Sequence, residues 1–349
     1  MLVNIITKKW TNRILALVVA TSVSVGGYVG IHSKVLAASD SHGKDDKALI
    51  PIKTYTRKNC TSTPILVADK LGFYREEGLK IVYTGELKST EILPSILNGN
   101  NDFAEAHPNL LATYVAGGAK IEAIGRSIIE PTDPKVDSRF RHMRWFVKPS
   151  TGIKSWKDLI HYKKGQKITQ NGLAPNCVTF ISSVIFDKYR IGRKRLDFIN
   201  FDTDQAALQA AEQGSLDIAC VHPPFYKLAA DSGLTLIGDS SDSGLGEAAG
   251  LNLYYFTDDF IKKHPETVRR FARAMKKAQI WANEHPDEAS KITSDFIGVT
   301  ATGSHYYATS TVIPDKDVQL WVDDLVNNKK LKKGQIKVLD LLTHKFEEK

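Results

Sequence analysis

The sequence predicts an α/β protein built from two tandem units, each around a mostly parallel, doubly wound sheet, followed by a helical tail. Three observations lead there. The stretch NGNNDFAEAHP, Asn98 to Pro108, is written again as QGSLDIACVHP, Gln213 to Pro223. Gly99, Asp102, Ala104 and His107-Pro108 are answered by Gly214, Asp217, Ala219 and His222-Pro223, about 115 residues on. Asn59-Cys60 likewise recurs as Asn176-Cys177, each opening a helix that contains Asp-Lys. Strand and helix signals alternate throughout, which argues for parallel sheets covered by helices. A chain of 349 residues suits two lobes of about 100–200 residues each.

The elements follow in order. KTYTRKN reads as a strand, and TPILVADKLGFYREEG as a helix closed by Gly78. LKIVYTG alternates as a strand does; STEILPSILNGN fits a short helix, NDFAEAH a strand, PNLLATYVAGG a helix and KIEAIGRSII a strand. After Pro131 and Pro134, RWFVKP is a strand leading out, and the pattern restarts through SWKDLIHYKKG. QKITQNG, LDFINF, LDIACVH and LTLIGD read as strands, with helices over NCVTFISSVIFDKYRIG, DQAALQAAEQG and PPFYKLAADSG. A return loop containing GLGEAAG leads into LNLYYF and then a long helical run. Val268, Phe271, Ala272, Met275, Ala278, Gln279 and Trp281 place a mainly apolar stripe on one face of that run, the mark of a helix packed on a core.

The N-terminus is of another kind. Lys8, Lys9 and Arg13 precede an acid-free apolar run from Ile14 to about Ile31, and Val35-Leu36-Ala37 offers small residues for a peptidase. Residues 1–38 therefore read as a secretory signal peptide, or alternatively as an uncleaved anchor, with 39–49 a polar spacer. Removing 1–38 takes the net charge from +8 to +4. That is no nucleic-acid footprint, though it suits an anionic ligand or cell surface. Cys60, Cys177 and Cys220 are too few, and odd in number, for a disulfide framework.

ADKLGFYREEGLKIVY, SWKDLIHYKKGQKIT and the paired AEQGSLDIACVHPP and LNGNNDFAEAHP resemble segments of the ABC-transporter solute-binding proteins for nitrate, taurine, aliphatic sulfonates and thiamine precursors. The resemblance covers roughly Lys53 to Phe260. It implies a two-lobed periplasmic-binding-protein-like type II fold. Lobe one would be 50–145 with 250–349, lobe two 146–249, joined by crossover strands, with the C-terminal helices on lobe one. It also implies an exported monomer at the cell surface or in the extracellular or periplasmic space. Such a protein captures a small solute in the interlobe cleft and hands it to a permease and ATPase, with no cofactor required. The solute class implied is anionic: a sulfonate, taurine or nitrate, or else a thiamine precursor.

In an open α/β sheet, ligands lie beyond the carboxyl ends of the strands. Each repeat ends a strand at His and starts a helix at Pro, whose missing N–H costs nothing there. His107 and His222 would then face one cleft, one from each lobe. His264-Pro265 and His285-Pro286 also open helices, so the matched positions carry this reading, not the dipeptide alone. Cys60, Thr61, Ser62 and Thr63 on one side and Asn176 and Cys177 on the other offer helix N-termini and hydroxyls for an oxyanion. Asn171 and Gly172 at the end of QKITQNG, and Glu247 at the lip, complete the expected ligand set. If both repeats meet, Cys60, His107, Cys177 and His222 form a Cys₂His₂ set for Zn²⁺ or a soft metal such as Cu(I), although no local CxxC or HxxxH signature supports it. Arg139, Arg141, His142 and Arg144 read as a solvated basic loop, and Asp102 and Asp217 as turn caps. No P-loop, zincin helix or GxSxG elbow is present. The remaining enzyme alternative, a thiamine-pyrimidine synthase, resembles this fold but carries a cysteine-rich run absent here.

Overall fold

The computed structural model describes residues 48–348 apart from 57–59, 174, 202, 299, 301 and 302; of Cys60 and Pro224 it describes the backbone. The expected leader, most of the spacer and Asn59 lie outside the described residues. The first half runs β1 (Ile50–Thr56), α1 (Thr63–Lys70), α2 (Phe73–Glu76), β2 (Leu79–Glu86), α3 (Ser89–Leu97), β3 (Phe103–Ala106), α4 (Pro108–Ala116), β4 (Ile121–Arg126) and β5 (Ile128–Ile129). The second runs β6 (Arg144–Val147), β7 (Ile168–Asn171), α5 (Cys177–Lys188), β8 (Leu196–Ile199), α6 (Asp204–Gln213), β9 (Ala219–Val221), α7 (Tyr226–Asp231) and β10 (Thr235–Asp239). The chain returns through β11 (Leu253–Thr257) to α8 (Asp258–Lys263), α9 (Pro265–Glu284), α10 (Pro286–Ile297), β12 (Tyr306–Tyr307) and α11 (Asp315–Asn327).

The two halves repeat one sheet plan. β1 pairs β2 in parallel and β7 pairs β8 in parallel. β3, β11 and β4 form a second ribbon, and β9, β6 and β10 its counterpart. Backbone bonds link each pair to its ribbon: Asp102 N donates to Lys53 O at 2.9 Å, and Ile218 N to Thr169 O at 3.0 Å. The orders are therefore β2-β1-β3-β11-β4 and β8-β7-β9-β6-β10.

The repeated aspartates hold these seams. Lys53 N donates to Asp102 Oδ2 at 2.7 Å, and Thr169 N to Asp217 Oδ2 at 2.9 Å. The expectation of turn caps is thus corrected: both carboxylates cap the backbone of the neighbouring strand.

The sheets are also less uniformly parallel than the sequence suggested. β11 runs antiparallel to β3 and β4, and β6 antiparallel to β9 and β10. Each is the strand by which the chain passes between halves, so it enters against its neighbours. A strand central in a covered sheet must be apolar on both faces. Leu253, Tyr254, Tyr255 and Phe256 in β11, and Trp145, Phe146 and Val147 in β6, are accordingly buried.

Helix α9 lays Val268, Phe271, Ala272, Met275 and Ala278 into the first-half core with Ile52, Tyr74 and Phe103. Each large apolar side chain there contributes roughly 1.5–3 kcal/mol. Gln279, the polar member of the stripe, donates its Nε2 to the carbonyls of Arg126 and Ser127, while its Oε1 is buried with no hydrogen-bond partner among the described residues; Trp281 is only partly buried. Helix α11 behaves differently. Val318 and Val322 join the first-half core, while Trp321 packs with Phe180 of the second half, ring centroids 4.2 Å apart.

Candidate ligand site between the halves

His107 and His222 occupy equivalent places, the extended residues that follow β3 and β9 and precede a proline-led turn of helix. The two ends face each other. Between them stands Cys177, the first residue of α5, whose helix is capped by Asn176 Oδ1 accepting from Thr179 N at 2.9 Å. Cys177 Sγ lies 3.8 Å from His222 Nε2. Ring or sulfur atoms of His107, His142 and Cys177 all fall within 4.8 Å of one another.

His142 is the largest departure from the sequence reading. It was expected in a solvated basic loop, and it is 1% exposed. Glu130 turns the loop inward: its carboxylate accepts from His142 N at 2.9 Å, Arg141 Nη1 at 3.0 Å and Ser240 Oγ at 2.5 Å. His305, also buried, brings its Nδ1 to 3.3 Å from His142 Nδ1. The His305 segment can approach because Gly303 lies against Pro223, where a Cβ would meet Pro223 O at 2.6 Å. Nothing in the sequence flags His142 or His305, since neither belongs to the repeat.

The far side of each ring is fixed. His107 Nδ1 bonds Leu251 O at 2.7 Å, and its ring stacks on Trp321 with centroids 5.3 Å apart. A carbonyl only accepts, so Nδ1 carries the proton and Nε2 keeps its lone pair. His222 Nδ1 lies 2.9 Å from Asp204 Oδ2, which also accepts from His222 N.

These surroundings separate the protonation states. Burial alone would lower the His222 imidazolium, but the Asp204 carboxylate outweighs it and pushes His222 up to about 10. Burial pulls His142 down to about 4, with His107 and His222 adding to the effect. His305 is pushed well down for the same reason. Burial would raise the Cys177 thiol, yet His107, His142 and His222 packed around the sulfur hold it well below its ordinary range. Cys220, buried against Met143 Sδ at 3.7 Å, is pushed up by desolvation.

The other expected site residues are placed as follows. Asn176 O accepts from Asn109 Nδ2 at 3.0 Å, a tie between the halves. Asn171 spends both ends of its amide on the Cys220 backbone. Gly172 is a packing position, where a Cβ would stand 2.9 Å from Phe198. Thr63 Oγ1 pairs with Thr293 Oγ1 at 2.6 Å in a buried contact. Glu247 is held by Arg126 at 2.5 Å. Thr61 and Ser62 continue the short turn that Cys60 opens; the Cys60 side chain lies outside the described residues, so the expected pairing of two cysteines is not seen. Arg139, Arg141 and Arg144 meet Asp287, Glu130 and Ser138.

A family model described as NMT1/THI5 like matches residues 59–289. A 4-amino-5-hydroxymethyl-2-methylpyrimidine phosphate synthase of Legionella pneumophila is 23% identical over 238 residues, 66% of this chain and 68% of that protein. A putative aliphatic sulfonates-binding protein of Bacillus subtilis is 24% identical over 270 residues, covering 75% and 74%. In three dimensions the chain is similar to the periplasmic aliphatic sulphonate binding protein SsuA of Escherichia coli. The TM-score is 0.66 at 13% identity, over 84% of this chain and 92% of that one. The shared fold is the two-lobed α/β fold of periplasmic binding proteins. Among the described residues no helix is long and apolar enough to cross a membrane.

Proposed function

The chain belongs to the NMT1/THI5-like family, and from that premise we propose that it is the extracytoplasmic solute-binding component of an ABC importer. It closes two lobes, 50–145 with 250–349 and 146–249, on a small solute held at the Cys177 cluster. The observation that carries this reading is that the cluster is shared: His107 comes from the first half, Cys177 and His222 from the second. A solute touching both halves favours the closed arrangement through contacts the open one lacks. His107, His142, Cys177 and His222 touch the solute in this reading, Asn176 clasps the halves, and Cys60, Thr61 and Ser62 keep a place at the rim by their matched position. The protein works as an exported monomer that docks directly on a permease driven by an ATPase.

The relatives named for aliphatic sulfonates make that anion class the first to screen. Imidazolium and α5 N–H groups would have to receive it, since Arg126 and Arg141 are engaged by Glu247 and Glu130. A second reading has its own observation: Cys177, His222 and Asp204 stand in the order of a nucleophile, a base and an orienting carboxylate, and a synthase is among the relatives. The test is a thermal-shift screen of intact, untagged protein with alkanesulfonates, taurine, thiamine precursors and divalent metals, followed by mass analysis of the bound species. A ligand that raises Tm and leaves unaltered supports capture. Chemical conversion of the bound ligand overturns it in favour of the enzyme.

A further inference from the structure

Resting on the capture reading, we propose that the solute is a bare late first-row transition-metal ion of the Zn²⁺ class, held by Cys177, His107, His142 and His222. Three of the four donor atoms already cluster, and the fourth, on His222, stands beside the sulfur. Ordinary Zn–N and Zn–S lengths and a tetrahedral angle place a nitrogen and a sulfur about 3.6 Å apart. Cys177 Sγ and His222 Nε2 are 3.8 Å apart, and the His107, His142 and Cys177 donors lie within 4.8 Å of each other. An inward shift of about 1 Å closes that set to the same edge length.

Each ring is also braced as a metal ligand is. A metal-bound imidazole gives its other ring nitrogen to a carbonyl, a carboxylate or another polar group. His107 is braced by Leu251 O, His222 by Asp204 and His142 by His305. His142 Nε2 and His305 Nε2 are buried with no hydrogen-bond partner among the described residues. A buried polar atom left so needs a reason, and a role as a ligand atom supplies one for His142. His305 is then a positioning residue.

The donor chemistry selects the cargo. One sulfur and three imidazole nitrogens suit Zn²⁺ and its neighbours in the series, and disfavour Mg²⁺ and Ca²⁺, which take oxygen. Four protein donors complete a tetrahedron, leaving no position for a chelator's own atoms, so the ion is bound bare. A sulfonate would need its donors spread around a bulky tetrahedral group, wider than this cluster holds them. A nucleophilic thiol needs one base and an open approach; Cys177 is 6% exposed and ringed by imidazoles. Coordination uses the thiolate and neutral rings, and the protons they carry pass to water.

The test titrates untagged, metal-stripped protein with zinc sulfate against a chromophoric zinc indicator, and in parallel with cobalt sulfate. We expect one zinc per chain and a thiolate-to-cobalt charge-transfer band. Cys177→Ser should abolish the band and weaken zinc by at least about 100-fold, the upper end of what loss of an outer brace costs. His305→Gln should weaken it about 10–100-fold, as loss of a brace does, while Cys220→Ser leaves both readouts intact. The proposal is overturned if wild-type protein binds no zinc, if its cobalt complex lacks the band, or if Cys177→Ser and His107→Gln both retain the metal. The wild-type cobalt spectrum decides even where a variant misfolds. Binding of an alkanesulfonate without zinc would sink the metal and leave capture standing; conversion of that ligand would sink both.

Discussion

The strand ends at His107 and His222 share a sequence, a backbone geometry and a place in the sheet plan, yet they differ in what stands behind the ring. Behind His107 is a backbone carbonyl, with Trp321 stacked on its face. Behind His222 is the carboxylate of Asp204, which holds the ring charged up to about 10. A carbonyl sets the tautomer without adding net charge, whereas a carboxylate sets it and stabilises the cation. Position comes from the repeat; protonation comes from a partner outside it. The paired aspartates differ likewise. Asp217 is held low because Lys163, Thr169 and Tyr162 outweigh its burial, whereas burial wins at Asp102, with Lys53 opposing.

The comparison breaks hardest at Trp321. It is fully buried and packs on both His107 and Phe180, so Trp321→Ala should cost about 3–5 kcal/mol in denaturant unfolding and weaken ligand capture. Equal stability would mean that the tail does not join the halves.

Acid comes next. His142 is held neutral down to about 4 and faces His107, His222, His305 and Cys177. A depressed imidazole contributes stability that is present above its unfolded value of 6.5 and lost as pH falls towards 4. Apo protein should therefore lose on the order of 3 kcal/mol across that window, and His142→Gln should flatten the loss.

A smaller contrast separates the aspartates. Asp217→Ala strands a lysine, a tyrosine and a backbone N–H and should cost about 2–4 kcal/mol. Asp102→Ala, which strands the Lys53 backbone N–H and loses only a half-exposed lysine besides, should cost about 1–2 kcal/mol. Equal costs by chemical denaturation would show that the two seams are interchangeable.

The last contrast is one of charge rather than packing, and Asp204→Asn tests it. A raised imidazole contributes stability that is full below 6.5 and lost as pH rises through about 10. The substitution should remove that alkaline limb and return His222 towards its ordinary value in an NMR titration. A value still near 10 would assign the shift to Cys177 instead.

Much of this architecture was legible in the chain. Two copies of a Gly-x-x-Asp strand ending in His-Pro located one residue of the Cys177 cluster in each half, and the α9 stripe announced its packing face. Alternation and proline placement are local properties, so they survive in sequence. The local signals misled at His142, where RFRHMR looks like a solvated loop. Only the fold brings Glu130 beneath it to neutralise Arg141 and bury the ring. Asp204 opens α6 and looks like a helix-cap acid, with nothing nearby to say that it backs His222.

The sequence by itself thus determined the element order, the duplication and the approach of His107, Cys177 and His222, because strand ends and helix starts converge wherever this alternation folds. Only the tertiary structure decided the rest of the cluster and its charges. His142, His305, Trp321 and Asp204 arrive from a crossover, a loop, the tail and a helix start. Their effect depends on burial and on distances of a few ångströms, which residue spacing along the chain does not record.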